Sequence, residues 1–243
     1  MKSTIKSVQL ICLTTLLAAS THAIINVNFV SANGANPSVV LDGTASSAGV
    51  APLAYTGTTW NDQLNFADGV NLLDSGGNTT SVGYTFSNPN GMLLFSFSMS
   101  DTTTDLLDNF LLPNDSFGIN PVQPLILNLS GLVAGGQYDL AIVSQGDAPG
   151  QGGTFTIGSE SQTSLGDSPL GPLSEGSNYV LFSNIVADGS GNIDVTWASN
   201  GVNTGFIAMN GFQLVPVPEP GTYALFFGLI AIGLCGLRQQ FAK

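Results

Sequence analysis

Leu127–Val143 reads LNLSGLVAGGQYDLAIV, and its pattern decides the fold. Leu127 and Leu129 alternate with Asn128 and Ser130. After Gly131, Gly135 and Gly136, the residues Tyr138, Leu140 and Ile142 alternate with Asp139 and Ala141. A period of two sends every second side chain to one face of an extended chain. A glycine-rich break between two such runs marks a corner between strands. Tyr138 enters the second run directly after the corner. From that position a tyrosine hydroxyl ties down a corner in immunoglobulin-like sandwiches.

The same alternation recurs outward in both directions. Ile25, Val27 and Phe29 alternate with Asn26 and Asn28. Val82, Tyr84 and Phe86 alternate with Gly83 and Thr85, and Leu93, Phe95, Phe97 and Met99 alternate in part with Ser96 and Ser98. Leu125 opens the Leu127–Leu129 run. Ile193, Val195 and Trp197 alternate with Asp194 and Thr196, and Phe206, Ala208 and Asn210 precede Phe212 and Leu214. Short runs with one apolar and one polar face, separated by Gly, Asn, Asp, Ser and Pro, predict an all-β sandwich of two sheets packed face to face. One segment departs from this period. DLLDNFLL, Asp105 to Leu112, sets Leu106 against Phe110 and Leu107 against Leu111 at i,i+4 spacing and predicts a short helix.

Charge partitions the chain more sharply than hydropathy does. All four basic residues, Lys2, Lys6, Arg238 and Lys243, stand in the terminal segments, and none lies between Ile24 and Val217. Of the sixteen acidic residues only Glu219 lies beyond that span. The body is a polyanion. Nucleic-acid binding depends on cationic side chains that release phosphate counterions, so it is excluded as a function. Divalent cations and neutral glycans remain compatible. Cys12, Cys235 and His22 are also terminal, which leaves the body without Cys, His, Lys or Arg.

The two ends read as targeting segments. Residues 1–23, MKSTIKSVQLICLTTLLAASTHA, place Lys2 and Lys6 before an apolar run from Val8 to Ala19 and small residues at Thr21 and Ala23. That is the layout of a secretory signal peptide, an N-terminal signal helix cleaved after Ala23. The other end, VPVPEPGTYALFFGLIAIGLCGLRQQFAK, holds Pro218-Glu219-Pro220, an apolar run and a basic tip at Arg238 and Lys243. Thr222 to Leu237 as a helix spans about 24 Å, slightly short of a hydrocarbon core of about 30 Å. Local thinning or snorkelling by Arg238 covers the difference. Because positive residues prefer the cytoplasmic side, Arg238 and Lys243 act as the membrane stop and the body lies outside.

In its order of Pro-Glu-Pro, Gly-studded apolar helix and basic end, the C-terminus resembles the PEP-CTERM sorting signal of Gram-negative bacteria. The resemblance runs from Val217 to Lys243. It implies an exosortase as processing partner, with Pro218, Glu219 and Pro220 as the residues read. One departure is the tip, where Arg238-Gln239-Gln240 and Lys243 stand in place of an arginine cluster. The body resembles an all-β domain of exported PEP-CTERM proteins through INVNF at Ile25–Phe29, TTWN at Thr58–Asn61 and DVTWASN at Asp194–Asn200. That resemblance implies a galactose-binding-like jelly roll, favoured over an immunoglobulin-like sandwich. The expected organisation is a signal peptide at 1–23, an exported β-sandwich at 24–214, and a sorting tail at 215–243 with a transmembrane helix at 222–237.

Residue inventory restricts the chemistry of the body. Ser-His-Asp and Cys-His nucleophiles need an imidazole, and zinc sites need His or Cys, so both are excluded. Glycoside hydrolysis needs only two carboxyl groups, but no acid pair stands out, and Asp105 and Asp108 read as a solvated turn. Calcium suits oxygen-rich surfaces. Its candidates are Asp188, Asn192 and Asp194 in DGSGNID, a pattern that a Gly/Asn hairpin turn also explains and explains better. Gly146–Gly153, GDAPGQGG, is followed by a strand rather than a helix and reads as a flexible loop, not a phosphate cradle. Trp60 and Tyr55, in a turn-rich stretch, are the candidate sugar contacts, with buried packing the better reading for Trp60. Trp197 reads as core. The sequence thus points to an exported envelope or matrix protein, non-enzymatic and associated with exopolysaccharide. A carboxylate-dependent glycan-active enzyme and a calcium-stabilised adhesive module are the alternatives.

Overall fold

The computed structural model describes residues 24–31, 53, 59–98, 105–115, 120–167 and 173–218. The signal segment with Ala23, Tyr55, Glu219, Pro220, the helix 222–237, Arg238 and Lys243 lie outside the described residues. Among the described residues twelve strands follow in chain order: β1 (Ile25–Val30), β2 (Asn61–Leu64), β3 (Gly83–Ser87), β4 (Leu93–Ser98), β5 (Asn109–Asn114), β6 (Leu125–Ser130), β7 (Gln137–Val143), β8 (Gly153–Ile157), β9 (Glu160–Thr163), β10 (Tyr179–Val186), β11 (Ile193–Ser199) and β12 (Gly211–Pro216). Two five-stranded sheets form, in the orders β10-β7-β12-β1-β2 and β3-β6-β11-β8-β9, and β4 and β5 make a separate ribbon. Every pair is antiparallel except β1 with β2. The described residues form an all-β sandwich.

The alternation read from the sequence builds the core. Ile25, Val27 and Phe29 from β1, Leu140 and Ile142 from β7, and Phe212 and Leu214 from β12 meet Tyr84, Leu125, Leu127, Leu129, Val195 and Trp197 of the facing sheet in one buried cluster. Burying each large side chain contributes about 1.5–3 kcal/mol. Aromatic rings fill the interior edge to face and stacked. Phe29 meets Tyr84 at 5.7 Å and 82°, and Phe155 lies on Trp197 at 6.2 Å and 14°.

The corner between β6 and β7 is tied as expected. The Val133 N–H donates to the Tyr138 hydroxyl at 2.9 Å, across five residues. Gly131 sits there at φ +73°, and a Cβ on it would lie 1.9 Å from the Ser81 carbonyl oxygen. Only glycine meets both conditions at once.

Three expectations change. Asp105–Leu112 is not a helix: Asp105–Leu107 makes one 3-10 turn, and Asn109–Asn114 is strand β5. Pro113 disfavours helical dihedrals at Leu112, and the Phe110-Leu111-Leu112 run pairs with β4 on one side while Leu111 bridges Met209 on the other. The Leu93–Phe97 alternation does form a strand, but in the ribbon rather than in a main sheet, and Leu93, Leu94 and Phe97 stay exposed. Finally, the polar face of β1 is not solvated. Asn26 and Asn28 are 2% and 4% exposed, and their amides donate to the Thr59 carbonyl and to Asp62 Oδ1.

Candidate functional site

The register fixes which loops share an end. Val143, the last residue of β7, pairs with Tyr179 at the start of β10 and with Gly211 at the start of β12. Ser199, the last residue of β11, pairs with Gly153 at the start of β8. The connections 144–152 and 200–210, with residues 164–167 and 173–178, therefore gather at one end of the sandwich. The opposite end carries the Tyr138 corner and the 187–192 turn. There Ile25 pairs with Leu214, and the Val217 N–H donates to the Gln137 carbonyl. The chain enters and leaves the sandwich at this second end, away from the three gathered loops.

Neutral polar side chains hold the loop end together. The Asn200 amide donates to the carbonyls of Gly150 at 3.1 Å, Ser164 at 3.1 Å and Leu165 at 3.2 Å, while its Oδ1 accepts from the Val202 N–H at 2.9 Å. One carboxamide thus stitches all three loops. Beneath it the Gln145 amide donates to the carbonyls of Gly146 and Gly166. The Ser164 hydroxyl bonds the Ser144 and Ser177 carbonyls, and Asn210 accepts from the Gln145 N–H and donates to the Asn109 carbonyl. Ser144, Gln145, Ser164, Asn178 and Asn210 are fully buried.

The glycine-rich stretch 146–153 is consequently packed rather than flexible. The Gly150 N–H donates to the Gly166 carbonyl at 2.9 Å, and a Cβ on Gly152 would sit 2.2 Å from the Ser164 carbonyl oxygen. Gly166, at φ +64°, would carry a Cβ 2.1 Å from the Gly152 nitrogen. These glycines allow two loop backbones to touch. In these loops Leu165 and Val202 are 45% and 65% exposed, and Asp147 and Asp167 are exposed as well. The surface combines apolar shoulders, carboxylates and fixed backbone groups, with no cation.

Trp60 is not at a surface. It is 2% exposed and packs with Leu106, Leu107 and Val143 on the outer side of the first sheet, which removes it as a sugar contact. Its neighbour Asn61 is structural, since its amide donates to the Asn26 and Leu73 carbonyls and its Oδ1 accepts from the Leu73 N–H. Trp197 is core, 0% exposed. Asp188 forms a hairpin turn, accepting from the N–H groups of Ser190 and Asn192 at 2.8 Å each. Those donors hold its carboxyl below the ordinary carboxylate range. Asp194 accepts from the Asn128 amide on the neighbouring strand. Among the described residues no group of three or more His, Cys, Asp or Glu stands together to hold a metal ion. Pro218 is exposed just beyond β12.

No protein-family model matches the chain, and no curated protein matches it. Solved structures do resemble it. A Podospora anserina GH26-CBM35 beta-(1,4)-mannanase is 12% identical, with 56% of this chain and 28% of that chain covered, at a TM-score of 0.33. TmCBM61, solved in complex with beta-1,4-galactotriose, is 10% identical, with 55% and 88% covered, at 0.32. The K2 cleaved adhesin domain of Lys-gingipain is 15% identical, with 56% and 89% covered, at 0.32. This chain spans less than a third of the length of the mannanase chain.

Proposed function

We propose that the chain is an exported envelope or matrix protein whose β-sandwich contacts a neutral extracellular polysaccharide without catalysis. In this reading residues 1–23 are a signal helix, and the body is a galactose-binding-like jelly roll. The tail from 215 holds a membrane helix at 222–237, stopped by Arg238 and Lys243. It keeps the protein on the periplasmic side of a Gram-negative inner membrane until an exosortase reads Pro218, Glu219 and Pro220. The product then passes to the cell surface or beyond it.

The observation that carries the reading joins charge to topology. Every cation stands in the two terminal segments, and the body between them is anionic. Its entry at Ile25 and its exit at Val217 share one end of the sandwich. A body tethered there presents Asn200, Leu165 and Val202 away from the bilayer. Neutral saccharides suit that surface, because its carboxylates repel polyanions while its exposed apolar shoulders meet C–H faces.

Two experiments test the two parts. An alkaline phosphatase fusion after Val217 is expected to be active, and a fluorescent reporter that fails to fold outside the cytosol is expected to be dark. The reverse pattern removes export. For the ligand, the full chain is expected to be retained by neutral galactan, mannan or glucan and not by a polyuronate; retention by none of the neutral polymers removes the polysaccharide contact.

A further inference from the structure

β4 forms the open edge of the ribbon. Among the described residues it pairs with β5 alone, and Leu93, Leu94 and Phe97 are 46%, 40% and 42% exposed. The register fixes where its backbone points. Leu111 exchanges both backbone hydrogen bonds with Met209, at 2.8 and 3.0 Å, so its N–H and carbonyl face away from β4. Its opposite residue on β4 is Ser96. In an antiparallel ladder, pairs that exchange bonds alternate with pairs that do not. The N–H and carbonyl of Ser96, and of Leu94 two positions before it, are therefore directed outward from the open edge. Pro113, opposite Leu94, fits the same phase, because a residue there needs no N–H for β4.

Charge singles out the same edge. Ser75–Ser100 and β5 hold no Asp, Glu, Lys or Arg, whereas the body around them bears carboxylates and no cation. Two copies of a polyanion repel over most approaches, and they meet most readily where carboxylates are absent. A strand with outward backbone groups and exposed apolar side chains is a template for another strand. Charges and prolines are the usual protection of such an edge, and β4, reading LLFSFS, has neither. The ribbon also stands clear of the tether. Leu111 and Asn114 bridge Met209 and Phe206 in the 200–210 connection, at the end of the sandwich opposite Ile25 and Val217.

We propose that β4 pairs antiparallel with β4 of a second copy of this chain, about a two-fold axis at Ser96, and joins two ribbons into one four-stranded sheet. Ser96 of each copy exchanges N–H···O bonds with the partner's Ser96. The axis sets Phe95 against the partner's Phe97, and Phe97 against the partner's Phe95. These are the closer, non-hydrogen-bonded positions of the ladder, where aromatic pairs add to the stability of a sheet. They lie on the face where Phe97 already stacks on Phe110, at 5.6 Å and 20°. β4 is thus complementary to itself, since one strand supplies both a ring and the ring that opposes it. The pairing does not rest on the polysaccharide reading.

The test is the mass of the full chain in a non-ionic detergent, measured by sedimentation. The parent is expected to run as a dimer. Leu94→Pro removes an outward N–H without touching the β5 ladder, and it is expected to run as a single chain with its circular dichroism retained. Leu94→Val keeps the N–H and is expected to remain a dimer. A Ser96→Cys variant in a Cys12→Ser/Cys235→Ser background tests the register. It is expected to form a disulfide-linked dimer on mild oxidation, because the Cα atoms of such a pair stand about 5.5 Å apart. A parent that sediments as a single chain overturns the inference. So does a folded Leu94→Pro variant that keeps the parent's mass, since association then lies at another surface. If Leu94→Pro does not fold, the cross-link decides, and its absence overturns the pairing.

Discussion

At the scale of single residues, two buried tyrosines make opposite predictions. Tyr138 accepts the Val133 N–H, so its hydroxyl closes the corner. Tyr138→Phe orphans that amide and is expected to cost about 1 kcal/mol in chemical denaturation. Tyr84 is fully buried, and its hydroxyl has no partner. Burial first, and the charge of Asp68 second, push its phenol well above the ordinary tyrosine range. Tyr84→Phe is therefore expected to be neutral or stabilising, by up to about 1 kcal/mol. Equal losses in the two variants would contradict the hydrogen-bond assignment. The turn carboxylates add a pH dependence. Asp74 loses some hydration, which opposes ionisation, but the N–H groups of Asn78 and Gly76 and the Asn78 amide outweigh this and hold its carboxyl below 3.8. Asp188 is held below the same value by the N–H groups of Asn192 and Ser190. A lowered native value means stability that is complete above the unfolded value and lost as pH falls through the native one. Melting temperatures across a pH series are expected to fall more steeply below pH 3.8 in the parent than in an Asp74→Ala/Asp188→Ala double variant.

At the scale of elements, legibility followed the hydrogen-bond partners. β1, β3, β6, β7 and β11 were readable because each alternates against the facing sheet. β2 and β9, reading NDQL and ESQT, were not, because edge strands with one apolar residue or none carry no apolar period. β10 hid for a different reason. Its pairing with β7 shifts between Phe182 and Ile185, where Asn184 takes φ +56°, so the period of two slips midway. The loop end was unreadable in the same sense. Gly146–Gly153 shows turn-forming residues but not the Asn200 that holds them from fifty positions beyond Gly150. The consequence is testable. Asn200→Ala removes four hydrogen bonds from three loops and is expected to cost about 1–3 kcal/mol. Amide exchange at Gly150 and Val202 is expected to speed up, while exchange in β6 follows only the global change. Uniform acceleration would contradict the stitching role.

At the scale of the whole molecule, the proposed export and presentation both rest on a chain divided by charge and folded so that the two ends of the body leave on one side. The two candidate calcium carboxylates find partners within the chain: Asp188 in its turn accepts from backbone amides, and Asp194 on β11 accepts from the Asn128 amide. Excess chelator is expected to leave the melting temperature unchanged, and a marked drop would restore the calcium-stabilised alternative. Export and sorting are reached most directly by the intact mass of the protein recovered from the cells that make it. The expected product begins at Ile24 and ends near Pro218-Glu219-Pro220, without the apolar run and basic tip. A mature protein that still spans Met1 to Lys243 would contradict both processing steps.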